Sequence, residues 1–203
     1  MARRGTSPRL FESDLLERLS HVHPVTPLLV WAPVIAWLLW RSVVVWRLDL
    51  ATLAGLSAAG LLVWTLTEYL VHRFLFHWQP RSPWGRRLVF IIHGVHHEAP
   101  DDPTRLLMPP ALAIVACVLL YGQFRLILGH PQVEPFLAFF LAGYLAYDYI
   151  HFALHYGKPR TRLGRALRRW HMLHHFATCH ARWGVTSPLW DYIFCSRGTA
   201  AAR

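Results

Sequence analysis

The chain has 203 residues, 54% of them hydrophobic, with 10 Trp and a formal net charge of +10 when histidine is neutral. That apolar share, set out in long uncharged runs, excludes an ordinary soluble domain. The basic residues lie beside the apolar runs rather than in a separate tail, which favours an anionic lipid surface as partner and excludes nucleic acid.

In chain order, the charged start MARRGTSPRLFESDLLERLS carries no small-residue cleavage site and is expected to be retained. Four stretches then reach the roughly 20 apolar residues that a bilayer crossing needs. They cover about 27–46, interrupted by Arg41; 50–69, after the hinge RLDL; 109–128, which Arg125 could end early; and 135–150. The remaining pieces, 71–108 and 151–195, are expected to form a helical cap on a single integral-membrane domain spanning 1–203. Four crossings put both termini, the central loop and the tail on one side. Four Lys and Arg precede the first span, five lie in 70–108 and nine follow 156, so 18 of the 21 share that side. The positive-inside bias makes it the cytoplasm. The three cysteines, Cys117, Cys179 and Cys195, form neither a CxxC pair nor a disulfide framework and suit a reducing compartment.

Ten of the 14 histidines fall in four spaced clusters within this one layer. They are His72 and His77 in HRFLFH; His93, His96 and His97 in HGVHH; His151 and His155 in HFALH; and His171, His174 and His175 in HMLHH. Helical positions i, i+3 and i+4 share a face, so each trio and the His151/His155 pair point one way. His72 and His77 are five apart, about 140° round an ideal helix, which predicts a loosened chain around Phe74–Phe76. Neutral imidazole suits iron, zinc, copper and nickel. Ten donors exceed the shell of one ion, so the spacing predicts two ions with about five nitrogens each. An open coordination position then means catalysis rather than structure. A purely structural metal role is the alternative, and so is a membrane metal carrier or sensor. A carrier would place ionisable groups near mid-bilayer, where this chain has only Arg41.

Outside the clusters, His21, His23 and His130 read as interfacial or hydrogen-bonded residues, while His180 stays open. Asp148 and Glu68 lie one turn before His151 and His72, and Asp191 lies in PLWDY. Each could accept the free N–H of a ligand histidine, or pair with an arginine at the interface. Asp101 and Asp102 read as turn residues in APDDP. Trp170, Arg169, Arg182 and Trp183 read first as interface anchors and second as contacts to a lipid head group.

The stretches LVHRFLFH, HGVHHEAPDDPTRLLMPP, YDYIHFALHYG and WHMLHHFATCHARWGVTSPLWDYIF resemble the fatty acid 2-hydroxylase branch of the fatty acid hydroxylase/sterol desaturase superfamily, over about residues 60–195. The resemblance implies an all-α membrane protein, with four transmembrane helices and a cytosolic helical cap that carries a histidine-rich dimetal site. It implies two iron ions held by the ten clustered histidines, with zinc able to substitute on purification, and dioxygen as co-substrate. The implied reaction inserts one oxygen atom at the acyl carbon next to the carbonyl, the 2-position. The implied partners are a membrane lipid or acyl substrate and a separate electron-transfer protein, since the b-type cytochrome domain fused to many eukaryotic members is missing from these 203 residues. A membrane desaturase, or a sterol or carotenoid oxidase using the same dimetal site, stays open as a rival.

Overall fold

The structure, a computed structural model, describes residues 7–198. Residues 1–6 and 199–203, on which the expected cytoplasmic placement of the termini falls, lie outside the described residues. Among the described residues all regular structure is helical: α1 (Asp14–Leu19), α2 (Thr26–Trp40), α3 (Leu50–Leu70), α4 (Pro83–Val89), α5 (Val95–Glu98), α6 (Pro110–Leu128), α7 (Val133–Tyr156), α8 (Arg162–Phe176) and α9 (Leu189–Ile193). Wider π-turns extend α2 over Arg41–Val45 and α3 over Val71–Phe76, and a third (Phe90–Gly94) joins α4 to α5.

Among the described residues four stretches are long and apolar enough to cross a membrane: Thr26–Val45, Leu50–Phe76, Pro103–Leu128 and Val133–Tyr156. The second and fourth run further than their apolar residues alone suggest, because α3 continues into its π-turn and α7 carries its helix through both of its histidines. Arg125 does not end α6. The helix runs on to Leu128 and stops at Gly129, whose φ of 71° suits glycine. Large apolar side chains stand out along these helices, among them Leu62, Val118, Leu119 and Leu126, the surface expected of a lipid-facing helix.

The chain divides into two compact units. One holds residues 23–65 and 108–146. Its core is Trp31, Leu38, Phe136, Leu137, Phe140, Leu141 and Tyr144, with Trp64 edge-on to Phe140. Gly60 lets α3 and α7 come together: a Cβ there would stand 2.2 Å from the Phe136 carbonyl oxygen, a small-residue contact of the kind that membrane helices use. Arg41, mid-span in the sequence, is not an orphan charge. Its guanidinium meets both carboxylate oxygens of buried Glu134 at 2.8 and 3.0 Å. His130 Nε2 and Trp46 Nε1 meet the same carboxylate at 2.6 and 3.1 Å.

The other unit comprises residues up to Val22, 66–107 and from Tyr147 onward. Its N-terminal strap is tied to the 99–107 turn by a polar knot. Arg105 donates to Glu17 (2.5 Å), Ser20 Oγ (2.5 Å) and Ser7 Oγ (3.0 Å), and Ser7 donates to Asp102 (2.6 Å). Val22, Leu106 and Leu107 close the apolar side of the strap. Asp102 also accepts the Thr104 N–H, the turn role expected of it. Burial alone would raise the Glu17 carboxyl, but the Phe11 and Leu10 N–H groups and the Arg105 charge hold it near 2 instead of 4.5. A depressed carboxylate stabilises the folded form above its unfolded value, and that contribution fades as pH falls between the two. The strap should therefore loosen as pH drops from about 4.5 toward 2. Glu17→Gln should flatten that dependence, read as hydrogen exchange at the Leu10 and Phe11 amides; an unchanged acid profile in the variant would refute it.

Candidate metal centre

All ten clustered histidines belong to the second unit. The π-turn at Val71–Phe76 settles the five-residue spacing of His72 and His77. An i→i+5 helix adds one residue per turn, so side chains five apart come onto one face. The predicted loosening is thus a widened turn rather than a break. His93 sits in the π-turn that leads into α5, whose short helix presents His96 and His97. His151 and His155 end α7, and His171, His174 and His175 end α8.

These side chains form two groups of five: His72, His77, His93, His97 and His174 in one, and His96, His151, His155, His171 and His175 in the other. Within each group one nitrogen per ring lies within 4.8 Å of all the others. Neighbouring Nε2 atoms approach more closely: His93 to His97 at 3.0 Å, His77 to His174 at 3.1 Å, His155 to His171 at 2.9 Å and His96 to His175 at 3.0 Å. Both HxxHH motifs divide. Their i, i+4 pairs stay together, while His96 and His174 cross to the other group. The groups abut through His97 and His175, whose rings stack at 4.1 Å.

The donor set fits metal ions. Two nitrogens at about 2.1 Å from one ion and at right angles would be about 3.0 Å apart, the spacing that these pairs show. Burial pushes the imidazoles down, and crowded imidazole neighbours push further, to about 3 at His77 and His97 and well below the usual range at His93, His96 and His171; burial takes His174 to about 4 against the opposing pull of the Ala181 carbonyl and Asp191. Neutral imidazole is the form that ligates. His72 Nε2 and the Nδ1 atoms of His96, His171 and His175 are buried without a protein hydrogen-bond partner. At His72 the Nδ1 atom is engaged by the Trp183 carbonyl, which leaves Nε2 for a ligand.

Loop 181–186 orients the first group from behind. The His72 Nδ1–H donates to the Trp183 carbonyl at 2.5 Å, and the His174 Nδ1–H donates to the Ala181 carbonyl at 2.7 Å. Two buried carboxylates latch the loop. Asp191 accepts the Trp183 N–H (3.0 Å), the Gly184 N–H (2.8 Å) and the Ser196 hydroxyl (2.8 Å). Glu68 accepts the N–H groups of Val185 (2.7 Å) and Thr186 (2.9 Å) and the Thr186 hydroxyl (2.5 Å). Glu68 and Asp191 therefore do not meet imidazole N–H groups as the sequence suggested. They bind backbone amides, and the carbonyls of the same loop bind the imidazoles. Gly184 is needed here, since a Cβ would stand 2.1 Å from the Ser187 carbonyl oxygen. Asp148, the third carboxylate, is buried one turn before His151.

Trp183, read from sequence as an interface residue, is only 5% exposed and packs on His77, His174 and His72. The Arg182 guanidinium lies over Trp170. His180 is exposed and outside both groups. Phe76, stacked on His93 at 4.7 Å, is a further wall that spacing did not reveal.

The fatty acid hydroxylase family profile matches residues 57–196. A dihydroceramide fatty acyl 2-hydroxylase of Arabidopsis thaliana is 36% identical over 187 residues, covering 92% of this chain and 78% of that protein. The fatty acid 2-hydroxylase of Rattus norvegicus is 35% identical over 206 residues, covering 92% of this chain and 55% of that protein. A solved structure of full-length scs7p, in which only the hydroxylase domain is visible, matches with a TM-score of 0.86 and 32% identity over 98% of this chain and 74% of that one. The helical order, the two imidazole groups and these matches agree: the chain belongs to the fatty acid hydroxylase family, on its fatty acid 2-hydroxylase branch.

Proposed function

We propose that this chain is a dioxygen-dependent lipid acyl hydroxylase working through two iron ions, one in each five-imidazole group, and that it acts at the 2-position. The observation that carries the reading is the pairing, side by side, of two largely buried, all-imidazole groups. Bound iron supplies the electrons that reduce dioxygen and the oxidising power that breaks one C–H bond. Zinc, with no redox chemistry, would occupy the same nitrogens and give no product. The relatives named for acyl 2-hydroxylation support the choice of carbon.

The chain's own residues have three tasks. The ten imidazoles hold the ions; the Ala181 and Trp183 carbonyls fix the tautomers of His174 and His72 so that Nε2 faces inward; and Trp183 and Phe76 keep water from the first group. The lysine and arginine bias supports a cytoplasmic face for the centre. The substrate is a membrane lipid or its acyl chain, and the electrons come from a separate protein.

Lipids from cells expressing the chain under oxygen-18 gas should gain one heavy oxygen at carbon 2, and purified protein should hold close to two metal ions. A new double bond in place of the hydroxyl would make the chain a desaturase. An unaltered acyl chain with metal bound would leave a carrier or sensor.

A further inference from the structure

Granting the hydroxylase reading above, each turnover joins an acyl C–H, dioxygen, two electrons and two protons into C–OH and water. The two electrons must reach the imidazole groups from an electron carrier, and α8 presents a surface suited to one. The stretch 158–169, KPRTRLGRALRR, holds six cations and no acid. Lys158, Arg160, Arg162, Arg165 and Arg169 are exposed and Arg168 is half-buried. Arg165 and Arg168 each give one N–H to a nearby carbonyl. Among the described residues no carboxylate pairs with any of the six. From 156 to 198 the single acid is Asp191, which is fully buried and engaged with amides.

Arg162, Arg165 and Arg169 are spaced i, i+3 and i+7 and share one stripe of α8. His171, His174 and His175 lie on the opposite side, with His171 and His174 at 1% and 0% exposure. His174 belongs to one imidazole group, His171 and His175 to the other. A single helix, about 10 Å across, therefore separates an unneutralised basic surface from ligating rings of both groups. A bilayer surface is the weaker occupant. A helix that lies on lipid buries an apolar face beneath its charges, and the face of α8 opposite the arginines is committed to the histidines. A protein whose carboxylates ring its redox group matches the stripe in charge and needs no such face.

We infer that the basic stripe of α8 is the docking surface for an acidic one-electron carrier protein. The test uses the full chain, metal-loaded, with Arg162→Glu and Arg165→Glu combined, and the corresponding Arg→Gln double variant as the milder change. Metal content and the product of one turnover after reduction by dithionite should match the parent in both. Reoxidation of a prereduced, soluble, acidic b-type cytochrome domain should slow at least about 10-fold in the Glu variant and less in the Gln variant, and should slow in the parent as salt is added. Equal cytochrome rates in all three proteins would overturn the docking surface. So would a variant that loses only its hold on phosphatidylserine vesicles, which would assign the stripe to lipid. Absence of product from the dithionite-reduced parent would instead sink the hydroxylase reading, which the cytochrome rates report on separately.

Discussion

Alanine at His174 or at His96 is expected to reduce turnover to background while the apolar helices stay in the membrane. The two residues test different groups. His174 completes the one with His72, His77, His93 and His97; His96 completes the one with His151, His155, His171 and His175. Removing either leaves four imidazoles where five met and opens a void in a layer of packed rings. Losing merely a hydrogen-bond partner of a ligand typically costs about 10–100-fold in affinity or activity, so losing the ligand should cost more. The readouts are oxygen-18-labelled hydroxy lipid by mass spectrometry and metal per chain. Both should fall, with helix content by circular dichroism unchanged. Full activity in both variants would remove the ligand assignment.

Asp191→Ala should act nearly as strongly without touching a ligand. It strips acceptors from the Trp183 and Gly184 amides and from the Ser196 hydroxyl, and each buried donor left unpaired costs about 1–3 kcal/mol. The loop must then shift to find water, carrying with it the two carbonyls that orient His72 and His174. Ions should leave the protein at roughly 10–100-fold lower chelator concentration. Asp191→Asn, which keeps one acceptor oxygen but turns an amide N–H toward another, should fall between. A purely structural role would lower the unfolding temperature and leave chelator resistance intact, so retention identical to the parent would refute the positioning role. Glu68→Gln should move retention in the same direction.

The ten histidines were legible in sequence because their spacings are helical and because two clusters end apolar runs while the other two lie in the cap pieces on the same side. How they divide was not. An i, i+3, i+4 trio reads as one face, and nothing in HGVHH or HMLHH says that His96 and His174 join a different group from their neighbours. That division shows only once the folded segments bring the rings together. The HRFLFH spacing announced an irregular helix but not its kind. Glu68 and Asp191 were singled out for lying near ligands, yet their partners are amides more than a hundred residues away for Glu68 and seven or eight away for Asp191, a contact that only the folded loop creates. Trp183 looked like an interface anchor because tryptophan beside arginine commonly is one. Its burial depends on the same loop.

Sharing each HxxHH segment between neighbouring groups denies either metal position a scaffold of its own. Whatever straightens or shears the end of α8 disturbs His171, His174 and His175 together, and so both positions at once. If each group takes an ion as proposed, the first to arrive would align segments that its neighbour also needs and leave the second place already shaped. Occupancy should then run from empty to full with few half-filled chains, and a one-residue insertion in either motif would cost the protein both metals rather than one.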